Sequence, residues 1–159
     1  MKEQNYRNPI PAVDAIIQSD SEILLVKRKH APFKGYLALP GGFVNEGESV
    51  EEAAKREIKE ETSLDIDLVD ILGVYSDPNR DPRGHIMSTV FIGKISHDNE
   101  KIEALAQDDA AEVAWIALEE VDSTNLAFDH NKIISNYRLW LRYAGTFWSS
   151  KEKSTAQSD

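Results

Sequence analysis

The 159 residues, 41% of them hydrophobic and 29% charged, suffice for one domain with its own core, and no apolar run reaches the eighteen or so residues that span a bilayer. A formal net charge of -10 without a basic block argues against nucleic acid and acidic membrane surfaces as partners, but allows a small phosphorylated ligand if metal ions supply positive charge. The lack of cysteine excludes disulfide and thiolate chemistry, and the amino terminus shows no basic, apolar and small-residue leader pattern, so a cytoplasmic location is expected.

AVDAIIQ (residues 12–18) and EILLVKRK (22–29) are apolar, partly β-branched runs, and the polar SDS between them predicts a hairpin. YLALPGG (36–42) predicts a short extended stretch that Pro40, Gly41 and Gly42 turn into a tight loop. Ser49, followed three residues later by Glu52, fits a capping box, and with Val50, Ala53, Ala54 and Ile58 behind it predicts a helix over 50–62. LVDILGVYS (68–76) and HIMSTVFIGKIS (85–96) predict strands flanking the loop 77–85, and EVAWIAL (112–118) predicts another after a polar connection over 97–111. Asp129 is placed to cap a last helix in which Ile133, Tyr137, Trp140, Leu141 and Ala144 recur at helical spacing, with Gly145 as its stop. No repeat or linker divides the chain, so residues 1–148 are expected to form one domain and the polar 149–159 a disordered tail.

The stretch GGFVNEGESVEEAAKREIKEETSL (41–64) is rich in glutamate, and the helical phase of those residues is informative. With Val50 at zero and about 100° per residue, Ala53 falls near ~300° and Ala54 near ~40°, while Glu57, Glu60 and Glu61 fall near ~340°, ~280° and ~20°. These three carboxylates lie along the apolar side, whereas Lys55, Lys59 and Glu52 occupy the far side. Glu57 and Glu61 are also spaced so that like charges meet, at a cost of a few tenths of a kcal/mol, roughly. Carboxylates turned toward the protein body require a cationic partner. Arg56 could be that partner; a divalent ion, which takes oxygen ligands and several carboxylates at once, is the other reading and leads to phosphoanhydride hydrolysis.

The same stretch resembles the Nudix box, the metal-binding loop-helix-loop of enzymes that hydrolyse a nucleoside diphosphate linked to another moiety. Gly42, Glu48, Arg56, Glu57, Ile58, Glu60, Glu61 and Leu64 match that motif in register, and Ser63 stands where the motif has glycine. The substitution bears on the helix exit, since a left-handed residue other than glycine costs about 1 kcal/mol, and no metal ligand is lost. The resemblance, over about residues 10–145, implies an α/β/α sandwich with a mixed central sheet. It implies Glu57, Glu60 and Glu61 as the main metal ligands with Glu48 assisting, Arg56 orienting the carboxylates, Glu57, Glu60 and Arg56 as the catalytic set, and the base either Glu57 in the box or a residue of another loop. Mg²⁺ is the implied cofactor, with Mn²⁺ as an alternative, and a homodimer is implied as the assembly. Asp108, Asp109 and Glu112 are outside candidates for a further ligand or base, or else surface acids.

YSDPNRDPRGH (75–85) reads either as a rigid loop held by Asp–Arg pairs or as a source of phosphate- or ribose-directed donors from Arg80, Arg83 and His85. It is similar to the segment after the box in a subgroup of ADP-ribose pyrophosphatases, as is the spacing of LALPGGF, which implies hydrolysis of ADP-ribose to AMP and ribose 5-phosphate. Arg28 is a further phosphate candidate, or an exposed strand arginine. Tyr36, Tyr75 and Phe91 are candidates for stacking on adenine, or core residues, and His30, His97 and His130 are expected at the surface. Two other functions stand beside this one. The box serves cleavage of nucleoside triphosphates equally well, and related Nudix-like domains in transcription regulators sense ADP-ribose-type ligands. Those regulators carry a DNA-binding domain for which this chain offers neither room nor a basic helix.

Overall fold

In chain order the elements are β1 (Ile10–Ser19), β2 (Glu22–Arg28), β3 (Leu37–Ala38), β4 (Gly41–Phe43), α1 (Val50–Thr62), β5 (Ile66–Tyr75), β6 (Ile86–Ile95), β7 (Ala110–Ala117), α2 (His130–Tyr143) and β8 (Phe147–Trp148). The computed structural model describes residues 7–96 and 110–151, so His97, Asp108, Asp109 and residues 152–159 of the expected tail lie outside it.

β1 organises the sheet. It pairs parallel with β6 from Ile10 opposite Ile86 to Ile17 opposite Gly93, and antiparallel with β4 on its other side. β6 pairs antiparallel with β5, and β5 carries β8 in parallel at the edge. The far end of β1 turns into β2, which lies between β3 and β7, so the sheet is mixed.

Alternation along β1 fixes which helix each face meets. Val13, Ala15 and Ile17 belong to the clusters that contain Ala53, Ala54 and Ile58 of α1, whereas Ile16 joins Ile133, Ile134 and Tyr137 of α2. Two helices thus cover opposite faces, the α/β/α arrangement that the sequence implies. Ile58 is fully buried, a contribution of roughly 1.5–3 kcal/mol.

The helix over Val50–Thr62 has the bounds and the cap that its sequence predicts. Glu52 N donates to Ser49 Oγ at 3.1 Å, and Ser49 N donates to Glu52 Oε2 at 2.9 Å. At the other end Ser63 takes the left-handed conformation at φ 64° and its N–H donates to Lys59 O. The missing glycine therefore leaves the exit in place, with the conformational cost carried by a serine.

Several expectations need correction. Burial on α2 ends at Trp140: Leu141 is 48% exposed and Ala144 lies past the helix, so the packing face is Ile133, Ile134 and Tyr137. Asp129 occupies the cap position but makes no side-chain cap bond, because Arg80 takes its carboxylate. His130 is buried, not at the surface. β8 was not visible in so short a run. It docks where β5 has Gly73, at which an added Cβ would meet Phe147 O at 1.9 Å. Ser149, assigned to the tail by its polarity, has an Oγ that accepts hydrogen bonds from Ser76 N at 2.7 Å and Asp77 N at 3.1 Å.

Replacing Ser63 by glycine removes the left-handed penalty at the helix exit, so Ser63→Gly is expected to raise stability by about 0.5–1 kcal/mol. Urea midpoints of the two proteins check this, and an unchanged or lowered midpoint contradicts it.

Candidate active site

Arg56 lies at the middle of α1 and gathers the acidic residues around it. Its Nε donates to Glu48 Oε2 at 2.6 Å and its Nη2 to Glu48 Oε1 at 2.9 Å, a two-pronged pairing with a planar carboxylate. Nη1 donates to Glu57 Oε1 at 2.8 Å and to Glu60 Oε2 at 3.1 Å, and Nη2 also donates to the Phe43 carbonyl at 2.9 Å. The Arg56 bond is the main reason the Glu48 carboxyl is pulled down to about 2, with Asn45 N–H adding to it. The same pairing raises Arg56 above the usual guanidinium range.

The two glycines of β4 shape the opposite side. A Cβ on Gly42 would lie 2.4–2.6 Å from the Glu57 carboxylate, so only glycine leaves that space. Gly41 N donates to Glu61 Oε2 at 3.2 Å. Glu57 and Glu61 both line a cleft of about 470 Å³, whereas the Glu60 side chain is 56% exposed and lies outside the lining. The helical phase that put Glu60 at the edge of the trio accounts for this.

Among the described residues no group of three or more acidic, histidine or cysteine side chains is arranged to hold a metal ion. The donors nevertheless fit a hard cation. Mg²⁺ binds through one or two carboxylates completed by waters and phosphates, and Glu57 and Glu61 present carboxylates in one cleft beside the space that Gly42 leaves. Arg56 is already the cationic partner of Glu48, Glu57 and Glu60. It is therefore the support of the cluster as well as a member of it.

The other wall is cationic and aromatic. Arg28, Arg80 and Arg83 reach the cleft with Phe43 and Phe128, and Gly42 lies in the lining too. Arg80 is nearly enclosed and donates Nε to Asp129 Oδ2 at 2.9 Å and Nη2 to Asp129 Oδ1 at 2.7 Å. Burial would lower its guanidinium, but the Asp129 carboxylate outweighs it and the net shift is upward. Arg83 donates Nε and Nη2 to the two oxygens of buried Asp81 at 3.1 and 2.8 Å. Arg28 is shifted down by burial first and by the like charge of Arg83 second, an arrangement that an anion would relieve. His85 does not line the cleft, and its Nε2 lies 2.9 Å from Ser76 O. In the loop 77–85, then, Asp129 holds Arg80 and Asp81 holds Arg83, and both arginines line the cleft.

Sequence reasoning missed Asp14 and His130. Ser88 Oγ donates to Asp14 Oδ2 at 2.6 Å, and His130 Nε2 lies 3.8 Å from Asp14 Oδ1. Leu39 N donates to His130 Nδ1 at 3.0 Å, so the neutral ring carries its proton on Nε2, facing Asp14. Burial raises the Asp14 carboxyl to about 7 and lowers His130 to about 4. An acid inside an apolar strand was the available signal in AVDAIIQ. Of the aromatic candidates, Tyr75 and Phe91 are core and Tyr36 is outside the cleft lining; the rings at the cleft are Phe43 and Phe128, which the sequence reading did not name. Glu112 is on β7, where it pairs with Lys27 at 3.1 Å.

A model of the NUDIX domain matches residues 8–137. The chain is 52% identical over 139 residues to the ADP-ribose pyrophosphatase of Methanocaldococcus jannaschii, covering 87% of this chain and 79% of that protein. It is 30% identical over 139 residues to the ADPR responsive transcriptional repressor NtrR of Acinetobacter baylyi, covering 84% of this chain and 54% of the repressor. Among solved structures, the NUDIX domain of Shewanella oneidensis NrtR complexed with ADP ribose is similar at a TM-score of 0.75 and 28% identity, over 89% of this chain and 94% of that one.

Gly42→Ala places a methyl against the Glu57 carboxylate, so hydrolytic activity is expected to fall at least about tenfold with an unchanged circular dichroism spectrum. Activity at the original level would show that Glu57 need not keep its position. For Asp14 burial holds the folded-state value above the ordinary carboxyl value of 3.8, so its contribution to stability is full below about 3.8 and is lost as pH rises through about 7. Asp14→Asn removes that dependence, and its stability relative to the original protein is expected to improve over this window by roughly a few kcal/mol. Urea unfolding across the window measures the difference, which should be flat if Asp14 does not titrate there.

Proposed function

This chain belongs to the Nudix family and is a Nudix hydrolase, and on that premise we propose that it hydrolyses ADP-ribose to AMP and ribose 5-phosphate. The observation that carries the reading is one cleft with Glu57 and Glu61 on one side and Arg28, Arg80 and Arg83 on the other. A diphosphate needs positive charge around it, and the acidic side is suited to holding that charge as a divalent cation. The ADP-ribose pyrophosphatase relative supports the choice of substrate.

Glu57 and Glu61 would hold the cation, for which Mg²⁺ is proposed and Mn²⁺ is the alternative, and it would neutralise the diphosphate as charge develops in hydrolysis. Arg56 is a positioning residue that fixes Glu57 against Gly42 and keeps Glu48 and Glu60 close by. Arg28 meets the phosphates, Arg83 adds positive charge beside it, and Arg80 is held behind by Asp129. Glu57 is the proposed base, since it faces the cleft while Glu60 does not. Water supplies the hydroxyl that ends on one phosphorus, its proton goes to the base, and the other phosphate leaves with the electrons of the broken P–O bond. The assembly is proposed to be a homodimer and the location cytoplasmic.

A second reading, ligand sensing without turnover, is favoured by the likeness to the repressor and to the ADP-ribose complex. Incubating the protein with ADP-ribose in Mg²⁺ or in EDTA and separating the products distinguishes the two. AMP and ribose 5-phosphate are expected only with metal, and Glu61→Gln is expected to lose most of the activity, at least about tenfold. Intact ADP-ribose alongside pyrophosphate release from a triphosphate would replace the substrate, and binding without turnover of either compound would favour sensing.

A further inference from the structure

We propose that Phe43 and Arg83 form the shelf on which the nucleobase of the substrate stacks. The inference rests on the nucleotide reading above and adds a position for the end of the substrate that carries the base. Phe43 is 41% exposed, and it lines the cleft. The backbone that carries the ring is tied to the acidic side. Phe43 follows Gly42, which abuts Glu57, and its carbonyl accepts from Arg56 Nη2 at 2.9 Å.

The Arg83 guanidinium carbon lies 5.2 Å from the centre of the Phe43 ring and 5.4 Å from that of Phe128. Asp81, only 4% exposed, holds the guanidinium by two bonds and so fixes its plane. Phe128 adopts φ 53°, a left-handed conformation costly for a bulky residue, and packs on Phe33 with ring centres 5.0 Å apart. Strain of this kind persists where surrounding contacts over-determine it, which here keeps the ring beneath Arg83.

A planar cation over aromatic rings in the wall of a cleft offers π faces to a flat ligand. With the diphosphate drawn to Glu57 and Glu61, the part of a nucleoside diphosphate left to place is its base, one ribose away. Arg83 then serves mainly as a stacking surface and less as a phosphate donor. ADP-ribose has a base at one end only, so the shelf also sets which way round the molecule lies.

The test is a titration of ethenoadenosine monophosphate, a fluorescent AMP analogue, into the protein with Mg²⁺, conditions that leave the monophosphate intact. Emission is expected to change on binding, the dissociation constant to rise about tenfold in Phe43→Leu, and Phe43→Trp to restore it. Ribose 5-phosphate, which lacks the base, should compete equally well against all three proteins. Arg83→Lys, which keeps the charge and removes the plane, should also weaken the analogue. Unchanged affinity in Phe43→Leu, or equal weakening of ribose 5-phosphate, overturns the proposal. So does a protein that hydrolyses ADP-ribose but does not bind the analogue. Stacking that depends on Phe43 in a protein that leaves ADP-ribose intact would instead overturn the hydrolysis reading and leave the shelf.

Discussion

The guanidinium of Arg56 holds together an arrangement that would otherwise repel itself. Glu48, Glu57 and Glu60 all carry like charge, and each accepts from one side chain that also donates to the Phe43 carbonyl. Surface ion pairs contribute little individually, but here the planar fork ties a loop, a helix and a strand to one point. The relation between α1 and β4 follows from it, and with that relation the opening of the cleft.

The close approach of Gly42 to Glu57 is the steric side of the same constraint. Arg56 can draw Glu57 toward β4 only because no Cβ stands in the way, so glycine and arginine act as a pair. Across the cleft, Asp81 and Asp129 do for Arg83 and Arg80 what Arg56 does for the glutamates. Each wall carries its functional sign outward and the opposite sign behind it. This makes an acidic chain of net charge -10 compatible with an anionic substrate. Beneath the two walls Asp14 and His130 share a buried contact in which burial favours the neutral form of each group.

Local rules made much of this legible in advance. The cap at Ser49, the bounds of α1 and the hairpin of β1 and β2 depend on neighbours within a few residues, and they stand where the sequence places them. Helical phase put Glu57 and Glu61 on the inward side because it is a property of one helix. The readings that failed involve distant partners. Asp129 was read as a cap from its neighbours, but Arg80, forty-nine positions away, takes its carboxylate. Polarity sent His130 to the surface, whereas a bond from Leu39 N satisfies the ring in the interior.

The sequence by itself determined the box, its register, the helix that carries the glutamates and the family to which the chain belongs, because each is encoded in spacing along a continuous segment. Only the tertiary structure decided which carboxylates face the cleft, which arginines stand opposite them, and that Phe43 and Phe128 rather than Tyr75 or Phe91 are the aromatic rings there. Those outcomes depend on where β1, β4, β6 and α2 meet. Phe43 and Arg83 are forty positions apart, and no local periodicity relates them; the sheet pairing that sets β4 beside β1, with β6 on β1's other edge, brings their side chains together.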